Sequence, residues 1–171
     1  MKIYSFLDNG TTGSLGVIYP DNSYTWDPTP VRKKCREYTK EEKYCTRIDV
    51  VRLKELFTKR LVDKKLELKC DIILGLERPM VNPTRFNATR SALRALEATL
   101  IVVEELNIPY LYEDSKAWQH VMIPGNVKGA DNLKAASLAE GQKLFPAAKF
   151  KKDADSLLAA LYLKREEFKT L

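Results

Sequence analysis

Four carboxylates stand out by position in the 171-residue chain. Asp8 ends the apolar run Ile3-Tyr4-Ser5-Phe6-Leu7, and Glu77 ends a second run, Ile72-Ile73-Leu74-Gly75-Leu76. Asp153 and Asp155 come just ahead of the apolar Leu157-Leu158. A carboxylate at the end of a buried strand is costly unless something pairs with it. No Lys or Arg stands beside Asp8 to do so. If the acids converge, their charges raise one another's pKa values, and a divalent cation resolves the conflict. Hard oxygen ligands suit magnesium, with manganese as a substitute. Two such ions about 4 Å apart activate a water and stabilise the leaving oxygen in phosphodiester hydrolysis.

Each acid also has a plain structural role open to it. Asp8 precedes Asn9-Gly10 and could form a turn. Asp153 could cap a helix, and Asp155 could favour a helix N-terminus. Glu77, followed by Arg78, could sit on a solvated edge. What favours a shared site is the order: strand end, strand end, helix start. Other chemistries find little support. Cys35, Cys45 and Cys70 lack the short paired spacing of a zinc site and read as reduced packing residues. A single His120 excludes mechanisms built on several histidines.

The net charge is +6, from 29 Lys and Arg against 23 Asp and Glu. Two stretches hold the excess. Residues 31–47 carry seven basic side chains (Arg32, Lys33, Lys34, Arg36, Lys40, Lys43, Arg47) against three acids, and 143–152 carry four (Lys143, Lys149, Lys151, Lys152) with none. Such clusters attract phosphate polymers, although a solvated surface would look the same. No apolar run approaches the ~18 residues of a membrane span, and the N-terminal one is too short for a signal peptide. The expectation is a cytoplasmic protein with no membrane partner.

The elements that must position the acids follow from the pattern. Runs at 3–7, 15–19 and 23–26, separated by turn residues, predict an antiparallel meander. Residues 27–47, with two early prolines and no clean periodicity, read as a basic, mobile connection. Asp49 caps a predicted helix with Val50, Leu53, Leu56, Phe57 and Leu61 on one side. A buried strand follows at 70–77, and Pro79 and Pro83 keep 78–86 out of helix. The strongest helix spans about Asn87 to Leu106. Its apolar face is Leu93, Leu96, Leu100 and Val103, beside a band of small residues (Ala88, Ser91, Ala92, Ala95, Ala98, Thr99). That band could pack on the chain's own sheet or on a second copy of the chain. Tyr110-Leu111-Tyr112 reads as a strand, and Ser115 to Met122 as a helix capped by Ser115. Another helix runs from Asp131 to about Phe145, weakened by Gly141. A last helix spans about Asp153 to Lys169. The sum is an α/β fold, a mixed sheet with helices on its faces.

Four blocks in this order resemble the RuvC-type Holliday junction resolvases of the ribonuclease H-like superfamily, most closely the short viral and phage members. They are Phe6-Leu7-Asp8-Asn9-Gly10-Thr11-Thr12-Gly13-Ser14-Leu15-Gly16-Val17-Ile18, then Leu74-Gly75-Leu76-Glu77-Arg78-Pro79, then the small-residue helix near Ser91 to Thr99, then Lys152-Asp153-Ala154-Asp155-Ser156-Leu157-Leu158-Ala159-Ala160. The resemblance implies one ribonuclease H-like domain over 1–171. Its central mixed sheet has five strands, the first three antiparallel, flanked by helices. It implies Asp8, Glu77 and Asp155 as ligands of two magnesium ions. The family's usual fourth ligand, three residues before the last aspartate, falls on Lys152, so Asp153 takes that role. The family's lysines between the sheet and the last helix correspond to Lys116 and Lys134, with Lys128 a weaker match.

The implied activity is resolution of four-way and other branched DNA by symmetrical nicks, carried out by a homodimer with no small-molecule cofactor. Nucleic-acid contacts are expected from Arg32, Lys33, Lys34, Arg36, Arg78, Arg85, Lys128, Lys151 and Lys152. Met80, Val81 and Phe86, just past Glu77, could wedge at unstacked bases or simply cover the protein's own core. Two other readings use the same residues. One is a ribonuclease H-like nuclease acting on flaps, forks or RNA-containing substrates. The other is a branched-DNA-binding scaffold without catalysis. The first hairpin also looks like the phosphate loop of actin-like kinases, but those need two domains around a nucleotide.

Overall fold

Short apolar runs broken by turn residues build the first part of the chain as a meander, and the computed structural model describes residues 1–38, 43–125 and 127–169. Strands β1 (Lys2–Leu7), β2 (Ser14–Ile18) and β3 (Tyr24–Pro28) pair antiparallel in sequence. Two further strands, β4 (Val31–Arg36) and β5 (Tyr44–Ile48), form a separate antiparallel ribbon. Helix α1 (Val50–Phe57) continues through a π-helical turn at Thr58–Val62 into α2 (Asp63–Leu68). Strand β6 (Asp71–Glu77) leads through a short 3-10 turn to α3 (Phe86–Glu105). Strand β7 (Tyr110–Glu113) and helices α4 (Ser115–Met122), α5 (Ala130–Leu144) and α6 (Asp155–Lys169) complete the chain. The main sheet has the order β3-β2-β1-β6-β7, with β6 parallel to β1 and β7 parallel to β6. This is the expected mixed five-stranded sheet with its first three strands antiparallel.

Both faces of the sheet are covered, which is why β1 reads as a continuous apolar run without alternation. Ile3 and Leu7 join Leu53, Phe57, Leu61, Val102 and Val103 in one core, under α1 and α3. Tyr4 and Phe6 point the other way, into a second core with Trp118, Leu157, Leu158 and Phe145. The small-residue band of α3 divides. Ala95 and Thr99 are buried on the chain's own core, while Ala88 and Ser91 stay exposed. On the same helix Leu93 and Ile101 are 44% and 51% exposed. Among the described residues no helix is long and apolar enough to cross a membrane.

The helix after Asp49 begins as expected, with the Asp49 carboxylate accepting the Arg52 N–H at 3.3 Å, and runs on to Leu68. Two local expectations are corrected. The α4 cap position is Asp114, not Ser115. Most consequential, the stretch expected to be a basic, mobile connection over 27–47 contains the β4–β5 ribbon. A register shift between Arg32 and Cys35, with Lys34 at φ 55°, interrupts the alternation that would have revealed a strand. Lys40 lies outside the described residues.

Ion pairs fix the ribbon at both ends. At its base Arg32 meets Asp49 at 3.1 Å. Beyond β4, Glu37 is buried against α3, 2.8 Å from Arg94 and 3.3 Å from Arg90. Hydrogen bonds from Arg94 and then Cys45, with the Arg90 charge beside them, hold the Glu37 carboxyl down at about 2. A depressed carboxylate stabilises the fold above its ordinary range and loses that contribution as pH falls from about 4.5 towards 2. Glu37→Ala should therefore speed amide hydrogen exchange in 31–36 and 44–48 at pH 7 while leaving β1 and β6 protected. The same acceleration should develop in the unsubstituted protein as pH falls towards 2, measured relative to β1 and β6 in the same sample.

Candidate metal centre

Parallel pairing of β1 with β6 sets the first two acids side by side. The register ends at Leu7 opposite Leu76, so the next residues, Asp8 and Glu77, leave the same end of the sheet together. The Asp8 N–H donates to the Ser14 carbonyl at 3.1 Å, closing the turn between β1 and β2. Asn9 reaches across, its Nδ2 donating to the Glu77 carbonyl at 3.2 Å.

The other two acids arrive with the first turn of α6, which is held on both sides. Toward the sheet it lies on Gly16 of β2, where a Cβ would fall 2.5 Å from Leu157 N and from the Ser156 carbonyl carbon. Beside this contact the buried Ser14 and Ser156 hydroxyls are hydrogen-bonded at 2.7 Å. On the far side is α5, where a Cβ on Gly141 would come 2.1 Å from the Ala154 Cβ. The glycine expected to weaken α5 instead lets the two segments touch. One turn earlier on α5, Ser137 hydrogen-bonds the Asp155 carboxylate and accepts the Ala154 N–H at 3.1 Å.

As a result, ligand oxygens of Asp8, Asp153 and Asp155 all lie within 4.8 Å of one another. Glu77 is not within that trio and meets the site through Asp8. Burial, followed by its hydrogen bond with Asp8 and the charges of Asp8, Asp155 and Asp153, pushes the Glu77 carboxyl up to about 9. Burial also raises Asp155, to about 7, against the hydrogen bond from Ser137 and the charge of Lys134 that pull it down. Asp153 is raised by burial and then by Asp8, with Lys134 and Lys152 opposing. The two lysines thus leave the cluster short of positive charge. Closely spaced, desolvated, oxygen-only donors of this kind fit divalent magnesium or manganese. Asp8, Asp153 and Asp155 would hold a cation directly, with Glu77 beside Asp8.

The remaining sequence-derived candidates fall at different places. Lys134 lies near the acids, whereas Lys116 lines a separate groove with Gln119, His120 and Leu133. Lys152 acts on Asp153; Lys128 is exposed ahead of α5 and Lys151 is exposed ahead of α6. Arg78 is engaged at the surface, 3.0 Å from Asp114 and over the Tyr112 ring. Met80, Val81 and Phe86 are 75%, 61% and 67% exposed, so they do not cover the core. Arg85 is exposed beside them. Lys33, Lys34 and Arg36 project from β4, on the ribbon and away from the main sheet's strands. The sequence reading missed Ser14, Ser137 and Ser156, which are ordinary residue types whose role depends on close approach.

No protein-family model matches the chain, and no curated protein matches it. Two solved structures of Thermus thermophilus RuvC are similar in fold. One, in complex with a Holliday junction substrate, is 10% identical with a TM-score of 0.48, over 93% of this chain and 88% of that one. The other is 13% identical with a TM-score of 0.49, over 96% of both chains. At these values the functional reading rests on this chain's own geometry.

A carboxyl whose pKa is raised on folding binds more protons in the native state than in the unfolded one, so stability falls as pH rises. For Glu77 that loss spans about 4.5 to 9, and for Asp155 about 3.8 to 7. In chelator, the Tm should therefore fall from pH 5 to pH 9, and magnesium or manganese should restore it at the alkaline end. Asp8→Asn removes one of the opposing charges. At pH 8 in chelator it should raise Tm by roughly 2–6 °C, taking about 1–1.5 kcal/mol at 2–4 °C each, while abolishing the restoration by metal. A thermal melt series across pH with and without metal checks both.

Proposed function

We propose that this chain is a metal-dependent endonuclease that resolves four-way DNA junctions as a homodimer. The observation that carries this reading is the convergence of Asp8, Asp153 and Asp155, with Glu77 beside Asp8, without enough positive charge to neutralise them. The ordered sequence blocks around these acids support the same reading. Divalent cations bound there would supply an activated water and stabilise the leaving oxygen, so that hydrolysis leaves a 3′-hydroxyl and a 5′-phosphate.

The chain's own residues supply the rest. Lys134, close to the acids, holds a non-bridging phosphate oxygen and offsets the charge that grows on it. Lys116 is the second candidate for that role. Arg32, Lys33, Lys34 and Arg36 all belong to β4, and in this reading they grip a DNA arm. Met80, Val81 and Phe86 follow Glu77 directly and are exposed, which suits a wedge at unpaired bases next to the cut. Recognition by this combination is of branch shape first and sequence second. Cutting two strands symmetrically needs two sites. The exposed Leu93 and Ile101 of α3 offer apolar surface for a second copy.

A labelled four-way junction, assayed beside linear duplex, flap and RNA–DNA hybrid in magnesium, manganese or chelator, tests this. Symmetrical metal-dependent nicks in the junction are expected. Preferential cutting of flap or hybrid would assign the site to another nuclease activity. Asp8→Asn should lower cleavage by about 100-fold or more, since losing a direct ligand exceeds the 10–100-fold typical of outer residues. Its junction binding should be retained. If about six phosphates are neutralised, binding should weaken roughly 10³-fold between about 50 and 200 mM salt; a flat response would contradict the basic footprint.

A further inference from the structure

We propose that Ser137 is a positioning residue of the acidic site, its hydroxyl orienting Asp155 so that one carboxylate oxygen is presented to a cation. This rests on the reading of the acids as a cation site. Ser137 is fully buried, near the centre of α5. Its Oγ accepts the Ala154 N–H at 3.1 Å. A serine hydroxyl carries one proton, and an N–H can only donate. The Ser137 proton is therefore committed to Asp155 Oδ1, the other partner of the same oxygen. The bond to Oδ1 restrains the rotation of the carboxylate and leaves Oδ2 free of Ser137 to face a cation.

The neighbouring packing makes this contact a built feature. Gly141, four residues on and so on the same face of α5, allows the approach to Ala154. At that separation a side chain as short as serine reaches both the backbone ahead of α6 and the first carboxylate of the helix. A purely structural alternative exists, in which Ser137 serves only to tie down Ala154. The two roles differ in whether the effect of Ser137 passes through Asp155.

The test is manganese affinity, read by electron paramagnetic resonance titration, together with Tm in chelator, which reports folding separately. The proteins are the unsubstituted chain, Ser137→Ala, Asp155→Asn and the double variant. Ser137→Ala should weaken manganese binding about 10-fold, the lower end for residues that orient metal ligands. In the Asp155→Asn background the same substitution should change affinity less than about 2-fold, because its route is already cut. Unchanged affinity in folded Ser137→Ala, or the same 10-fold loss in both backgrounds, would overturn the proposal. Should Ser137→Ala fail to fold, Ser137→Cys, similar in size but a weak donor, carries the same comparison. An unsubstituted chain that binds no manganese would overturn the acidic-site reading and this proposal with it. Manganese binding that depends on Ser137 in a protein that cuts no junction would leave this proposal standing and remove only the nuclease assignment.

Discussion

The close approach of the first turn of α6 to the sheet governs the rest of the site. At Gly16 the separation leaves no space for even a methyl group, and at Gly141 the opposite side is as tight. Between these contacts the Asp153–Asp155 segment has little freedom, and the Ser14–Ser156 and Ser137–Asp155 hydrogen bonds fix its rotation. Packing of this density does not deform gradually. A Cβ at either glycine would have to displace the turn, and with it two of the four acids. The core and the chemistry are thus one constraint, because the small residues that allow the packing also set the carboxylate spacing.

Among the described residues, buried and half-buried carboxylates are treated in two opposite ways. Three away from the site have an arginine. Asp27 takes a two-point contact from Arg60 at 2.8 and 2.9 Å. Glu37 has Arg94 and Arg90, and Asp49 has Arg32. Burial pushes Asp49 up, yet hydrogen bonds from Arg32 and the Arg52 backbone carry it below its ordinary value. Around Asp8 the opposite holds. Glu77, Asp153 and Asp155 are all raised, by burial first, with Asp8 raising each of the three, and the opposing lysines do not reverse the sign. A fold that pairs Asp27, Glu37 and Asp49 with arginines and leaves these acids only partly offset has kept a site for added positive charge.

Much of this was legible in the sequence. Apolar runs ending in acids marked β1 and β6, whereas their parallel pairing, across four intervening segments of the meander and ribbon and a helix, is visible only in the register. The order of the acids along the chain pointed to one site. What could not be read was anything carried by small residues acting at a distance in sequence. Gly141 looks like a flaw in a helix until Ala154 is seen against it. Ser137 is one serine among several until its two partners, seventeen and eighteen residues away, are in place. The ribbon of β4 and β5 was hidden for a different reason. Its bulge broke the two-residue period, and its charges suggested a solvated loop, whereas the contacts that dock it are long-range pairs to α3.

Diffraction from crystals soaked in manganese, recorded where its anomalous signal is strong, tests the central claim most directly, namely that these carboxylates form a divalent-cation site. Two anomalous peaks are predicted, among Asp8, Glu77, Asp153 and Asp155, and none in crystals of Asp8→Asn. Crystals that take up manganese elsewhere, or not at all, with the four carboxyls protonated and bonded to one another at neutral pH, would contradict the account.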